Sequence, residues 1–234
     1  MGTAGELIED ALLRGRLRVF RDRSDAGQRL AAALAEDIKG NEIVMAIPSG
    51  GVPVAFEIAK AFSLPLDLLI VRKVQIPWNA EAGFGAVDPD GNKIFNEKLL
   101  GQLGLSEKDV NAQVEKTMAT IRQRNRVFRP DMPAPELTER GVIIVDDGLA
   151  SGYTMLSAVG FAKKRKARKV VVAVPTALDR TVDLILPEVD RLFCLNIRSG
   201  FSFAVADAYR DWYDLTDEEV LSIIGKYPEK RRKR

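Results

Sequence analysis

The sequence predicts an α/β protein built on an open, mostly parallel sheet flanked by helices. Short aliphatic runs alternate with segments of helical period, as in chains that wind helices around a parallel sheet. The runs Val142-Ile143-Ile144-Val145 and Val170-Val171-Val172-Ala173-Val174 do not alternate in polarity, the mark of central strands covered on both faces. The chain has 234 residues, 46% hydrophobic and 29% charged, which suits one such domain over 1–234.

Taken in order, a helix over 26–38 leads to a strand over 42–47, a helix over 52–62 and a strand over 66–71. Residues 74–104 carry Pro77, Gly83, Gly85 and the turn Asp88-Pro89-Asp90-Gly91, with Val87 and Ile94-Phe95 beside it. That composition predicts a flexible loop followed by a β-hairpin. A helix over 107–127 starts at Ser106, which precedes Glu107 to Asp109. A linker over 130–135 then leads to strands over 142–146, 170–175 and 191–197, separated by helices over 154–164 and 181–186. A last helix over 217–224 opens on Thr216 before Asp217-Glu218-Glu219, a capping-box entry. Residues 228–234 read as a basic, disordered tail.

Composition removes several chemistries. Histidine is absent and Cys194 is the one cysteine, so Ser-His-Asp and Cys-His catalysis, His-containing zinc sites and disulfides are excluded. Cys194 sits in an apolar run and reads as a small buried hydrophobe. No stretch is long and apolar enough to span a bilayer and no signal peptide is visible, so a cytoplasmic location is expected. The net charge is +2, but Lys230 to Arg234 supply five positives, leaving 30 basic against 33 acidic residues elsewhere. An acidic body argues against a nucleic-acid face, and the tail alone keeps a contact with RNA open.

The decisive segment runs from Val142 to Thr154. A buried strand emerges into Asp146 and Asp147, followed by Gly148, Leu149, Ala150, Ser151, Gly152, Tyr153 and Thr154 at the opening of a helix. Small residues, hydroxyls and successive amides at a helix N-terminus form a cradle for a phosphate monoester. The paired carboxylates would repel phosphate; they suit a sugar diol or a hydrated metal ion. No Gly-x-x-x-x-Gly-Lys-Ser/Thr run and no dinucleotide fingerprint occurs. Two further strand ends carry candidate sites: Ser49-Gly50-Gly51 after the first strand, and Arg72-Lys73 after the second.

On these motifs the chain resembles the type I phosphoribosyltransferases over about residues 15–215. Phe20 to Gly27 further resembles an uncharacterised branch of that superfamily. The resemblance implies a five-stranded parallel core with a small hood over 197–213, and a homodimer. It implies that Asp146 and Asp147 hold the ribose 2′- and 3′-hydroxyls of phosphoribosyl pyrophosphate and that Gly148 to Thr154 wrap its 5′-phosphate. Ser49, Gly50, Gly51, Arg72 and Lys73 would meet pyrophosphate, so Arg72, Lys73, Asp146 and Asp147 are the candidate catalytic residues. Mg²⁺ would be held through the ligand, with Asp146 and Asp147 as its protein partners. Residues 74–86 are the candidate lid, with Glu81 a polar participant. Phe201 and Phe203 are candidates to stack on a nucleobase acceptor.

Two positions depart from known specificity patterns. Ala150 stands where 6-oxopurine enzymes carry an aspartate base, which points away from hypoxanthine and guanine. Ile76 stands where orotate and adenine enzymes carry a loop lysine. The expected activity is phosphoribosyl transfer in nucleotide salvage. The alternative is a non-catalytic sensor of the same donor that acts on RNA or a protein partner.

Overall fold

The structure, a computed structural model, describes residues 5–130, 132–200 and 202–228. In chain order the elements are β1 (Glu6–Ile8), α1 (Arg23–Leu34), β2 (Glu42–Ala46), α2 (Gly51–Phe62), β3 (Leu66–Leu68), β4 (Arg72–Ile76), β5 (Asn79–Val87) and β6 (Lys93–Phe95). There follow α3 (Glu97–Leu103), α4 (Glu107–Phe128), β7 (Gly141–Val145), α5 (Tyr153–Lys164), β8 (Lys169–Leu178), α6 (Asp179–Ile185), β9 (Arg191–Arg198) and α7 (Asp217–Gly225). One sheet has the order β1-β9-β8-β7-β2-β3, and every neighbouring pair in it is parallel. The expected open parallel sheet is present, and a sixth strand, β1, joins its edge beside β9.

The aliphatic runs work as two-faced strands. Val44, Ile143, Val145, Val171, Phe193 and Leu195 enter one buried cluster with α1 and α2. Ile43, Met45, Val142, Ile144, Val172 and Cys194 enter a second cluster with α5 on the opposite face. The side-chain period of two thus divides each run between two cores. Burial pushes the Cys194 thiol pKa up, as expected of a structural cysteine.

The region over 74–104 differs from its expected form. The stretch read as a loop is a pair of strands, β4 and β5, with Pro77 and Trp78 at the tip and an irregular register at Val74 to Ile76. β5 continues through the turn 88–91 into β6, making a three-stranded antiparallel sheet that packs on α4 and α5. The Asp88 carboxylate accepts from the amides of Asp90 and Asn92, both at 2.9 Å, and Gly91 takes φ 84°. Glycines at 83 and 85 misled because they serve close packing rather than chain reversal: a Cβ on Gly85 would lie 2.4 Å from the Ile94 carbonyl.

α1 begins three residues earlier than expected, because the Asp22 side chain accepts from the Asp25 amide at 2.8 Å. β8 runs beyond Pro175 to Leu178, with Thr176 to Leu178 still beside β9. The starts of α4 and α7 match their Ser106 and Thr216 capping boxes. Among the described residues no helix is long and apolar enough to cross a membrane.

Candidate active site

The sheet order places β2 between β3 and β7, so the chain leaves β2 toward one edge and returns on its other side. Such a reversal opens a crevice beyond the strand carboxyl ends, where open α/β sheets bind ligands. The two ends are tied, with the Ile47 amide donating to the Val145 carbonyl at 2.9 Å. From β2 emerge Ser49 and Gly50, after a cis Pro48–Ser49 peptide; from β7 emerge Asp146 and Asp147. A Cβ on Gly50 would lie 1.8 Å from Asp147 Oδ2, so only glycine lets this loop pass beside the carboxylate. Arg72 and Lys73 open β4 across the crevice. A cavity of about 510 Å³ is lined by Ser49, Gly50, Arg72, Lys73, Asp146, Asp147 and Thr154.

A second cavity of about 410 Å³ shares Lys73, Asp146 and Thr154 with the first and is lined by Gly148 to Thr154. Glu81 and Gly83 of the β4–β5 hairpin form its opposite wall. The loop is held from behind. The Leu149 amide donates to the Thr176 carbonyl at 2.9 Å, the Leu178 amide returns a bond to Leu149 at 3.2 Å, and Thr181 Oγ1 donates to the Ala150 carbonyl. Gly152 takes φ 82°, and a Cβ there would lie 2.7 Å from Thr181 Cγ2. The amides of Ala150, Ser151 and Gly152 donate to no protein group among the described residues. α5 opens at Tyr153 with no side-chain bond from its N-cap. Free amides at a helix start, beside the hydroxyls of Ser151 and Thr154, make an anion cradle.

The two carboxylates have unequal surroundings. Arg23 Nε donates to Asp147 Oδ2 at 2.9 Å, and the two side chains are 8% and 15% exposed. The Arg23 guanidinium lies 3.8 Å from the Trp212 ring centroid and also donates to the Tyr213 carbonyl at 2.9 Å. Tyr209 donates its hydroxyl to the Asp147 carbonyl at 2.6 Å. Asp146 has no cation of its own among the described residues and accepts from the Asp147 amide at 2.8 Å. Burial, then the Asp147 charge, push its carboxyl pKa well up; burial also raises that of Asp147, against the pull of Arg23. At the opposite end, burial and then the Arg124 charge lower the Arg72 pKa. Arg124 donates to Ser49 Oγ at 3.0 Å. Lys73 Nζ donates to the Glu81 carbonyl and so closes the hairpin on its own strand.

Most residues singled out in the sequence therefore meet at one crevice. Gly51 stands behind it as the first residue of α2, where a Cβ would lie 2.6 Å from the Val145 carbonyl. Phe203 lines a third cavity of about 510 Å³ with Ala150, Ser151, Tyr153, Arg180 and Thr181, and Arg198 stacks on it at 4.3 Å. Phe201 lies outside the described residues, as do residues 229–234 of the tail. Arg23, Arg124 and Tyr209 escaped the sequence reading, because none stands in a strand-end motif. Asp22, an N-cap type three residues before Asp25, is the signal that could have placed Arg23 in a helical first turn.

The profile of the family described as "Phosphoribosyl transferase domain" matches residues 21–210. A Mycobacterium tuberculosis protein named "Putative phosphoribosyl transferase Rv0571c" is 37% identical over 210 residues, covering 90% of this chain and 47% of its own. The chain thus spans about half the length of the curated relatives it matches. The crystal structure of TT1426 from Thermus thermophilus superposes with a TM-score of 0.74 at 33% identity, covering 90% of this chain and 99% of that one. The AQ2163 protein of Aquifex aeolicus shares the fold at TM-score 0.50 and 14% identity, over 80% of this chain and 78% of its own.

Proposed function

Because this chain belongs to the phosphoribosyl transferase domain family, we propose that it transfers 5-phosphoribosyl from phosphoribosyl pyrophosphate to a nucleobase-like acceptor and releases pyrophosphate. The observation that carries the reading is the division of charge along one crevice, with amides and hydroxyls at Ala150 to Thr154, carboxylates at Asp146 and Asp147, and cations at Arg72 and Lys73. A ribose bearing one phosphate at C5 and two at C1 presents its groups in the same order.

In this reading the amides of Ala150, Ser151 and Gly152 and the Ser151 and Thr154 hydroxyls take the 5′-phosphate. Asp146 and Asp147 accept from the ribose hydroxyls, Asp147 through Oδ1, since Arg23 occupies Oδ2. Ser49, Gly50, Arg72 and Lys73 receive pyrophosphate. Cleavage of the C1–O bond leaves a cation-like ribosyl centre and a highly charged leaving group. Fixed positive charge on Arg72 favours that separation, and the carboxylates favour the ribosyl cation. The β4–β5 hairpin, closed by Lys73 on Glu81, walls the second cavity.

Among the described residues no group of three or more Asp, Glu, His or Cys could hold a metal. The donor set fits Mg²⁺ carried by the diphosphate, which takes one or two carboxylates and keeps water and phosphate oxygens. Asp146 and Asp147 would be its protein partners, and it would neutralise leaving-group charge. Phe203 would offer its ring to the acceptor.

Calorimetry with phosphoribosyl pyrophosphate and Mg²⁺, followed by a nucleobase panel read for pyrophosphate release, tests the proposal. Donor binding with release for one base is the expected result. Absence of donor binding would sink it, and binding without release across the panel would favour the sensor.

A further inference from the structure

The far wall of the first cavity is one face of α4. Gln113, Lys116, Thr117 and Thr120 all line it, at the three- and four-residue intervals that put side chains on one side of a helix. Thr117 and Thr120 donate their hydroxyls to the carbonyls of Gln113 and Lys116, at 2.8 and 3.1 Å, so Gln113 and Lys116 are the wall's uncommitted donors. Neither makes a side-chain hydrogen bond or ion pair among the described residues. Arg72, facing the same cavity, makes no side-chain hydrogen bond or salt bridge among them either. Lys73, by contrast, is held by the Glu81 carbonyl.

One turn beyond Thr120, Arg124 stands behind the loop. Its guanidinium bonds Ser49 Oγ at 3.0 Å and reaches Asp217 at 3.2 Å, while its buried Nε has no partner among the described residues. Burial, and then the charge of Arg124, lower the Arg72 pKa, with Asp217 acting against them. Cations that repel one another around a polar cavity, with donors unspent, mark a site for a multiply charged anion.

We propose that this face of α4 is the second wall of a diphosphate subsite, with Lys116 and Gln113 contacting the terminal phosphate and Arg124 positioning Ser49. The inference rests on the transferase reading and adds to it: the strand-end motifs supply one side of the leaving-group site and α4 the other. Lys116 carries a mobile point charge on a flexible stem, suited to following a phosphate that departs.

The test measures inorganic pyrophosphate with Mg²⁺ and ribose 5-phosphate as separate ligands by calorimetry. Lys116→Met is expected to weaken pyrophosphate at least about tenfold, as loss of a charge-assisted contact does, with ribose 5-phosphate unchanged. Arg122→Met, which removes an exposed cation of α4 outside the cavity, is expected to leave both unchanged. In a double-mutant cycle, Arg124→Met and Ser49→Ala together are expected to cost no more than the larger single change, because one residue acts through the other. Unchanged pyrophosphate affinity in Lys116→Met would overturn the proposal, as would parallel loss of both ligands. Additive losses in the cycle would remove the positioning role of Arg124. If the wild-type protein bound ribose 5-phosphate and no pyrophosphate, this subsite would fail while ribose-phosphate recognition stood; binding of neither would remove the transferase reading itself.

Discussion

Asp146 and Asp147 are neighbours in sequence with different tasks, and their surroundings predict how each responds to change. Asp147 is paired with Arg23, and both are largely buried. Arg23→Met removes one partner and leaves a buried carboxylate uncompensated, a change that costs about 3 kcal/mol. Urea unfolding should show that loss, and a loss under about 0.5 kcal/mol would mean the pair is solvated. Asp146 has the opposite character. Its pKa is raised above the ordinary aspartate value by burial and by Asp147, so between the two values the folded state keeps a proton that the unfolded state has released. Stability therefore falls as pH rises from the ordinary aspartate value through the raised one. Asp146→Asn removes that cost and should raise Tm by a few degrees at neutral pH, with the gain vanishing in acid, where the wild-type carboxyl is protonated. A gain that persisted at low pH would show that the cause is not ionisation.

At the scale of elements, the β4–β5 hairpin shows where sequence patterns stop being readable. The signals for its β5–β6 neighbour are local: Asp88 gathers the amides of its own turn. The β4–β5 pairing depends on partners distant from its tip, because α4 and α5 cover this small sheet and Gly85 packs against the Ile94 carbonyl. Nothing in residues 74–86 taken alone distinguishes that packing from a loop. The tip half of the hairpin is fastened to β4 by Lys73 to the Glu81 carbonyl, and by Gln75 to the Ala80 carbonyl at 2.8 Å. Lys73→Met should therefore speed amide hydrogen exchange over residues 78–83 several-fold while leaving β7 and β8 as slow as before. Equal exchange in both proteins would mean that Lys73 does not hold the hairpin.

For the whole molecule, five of the six strands of the parallel sheet and the helices flanking them were legible because each carries its own period and its own ends, whereas β1, three residues long, carries neither. Ser106 and Thr216 mark helix starts in the sequence, and Val142 to Val145 mark a covered strand. The site was legible where it consists of residues leaving the ends of parallel strands, as at Ser49-Gly50 and Asp146 to Thr154; Arg72-Lys73, expected to follow the second strand directly, instead opens β4 of the antiparallel sheet, because β3 already ends at Leu68. The site was illegible where folding brings distant residues to those ends. Arg23 lies 124 positions from Asp147 and Arg124 lies 75 from Ser49, separations that no local pattern records. These supports leave Asp146 as the carboxylate that faces both cavities with no cation attached among the described residues. The most direct test of donor recognition is thus calorimetric titration of phosphoribosyl pyrophosphate, with Mg²⁺, into the wild-type protein and Asp146→Asn. The account predicts saturable binding to the wild type and at least about tenfold weaker binding to the variant, although the variant is the more stable of the two at neutral pH. Equal affinity in the two proteins, or no binding to the wild type, would contradict it.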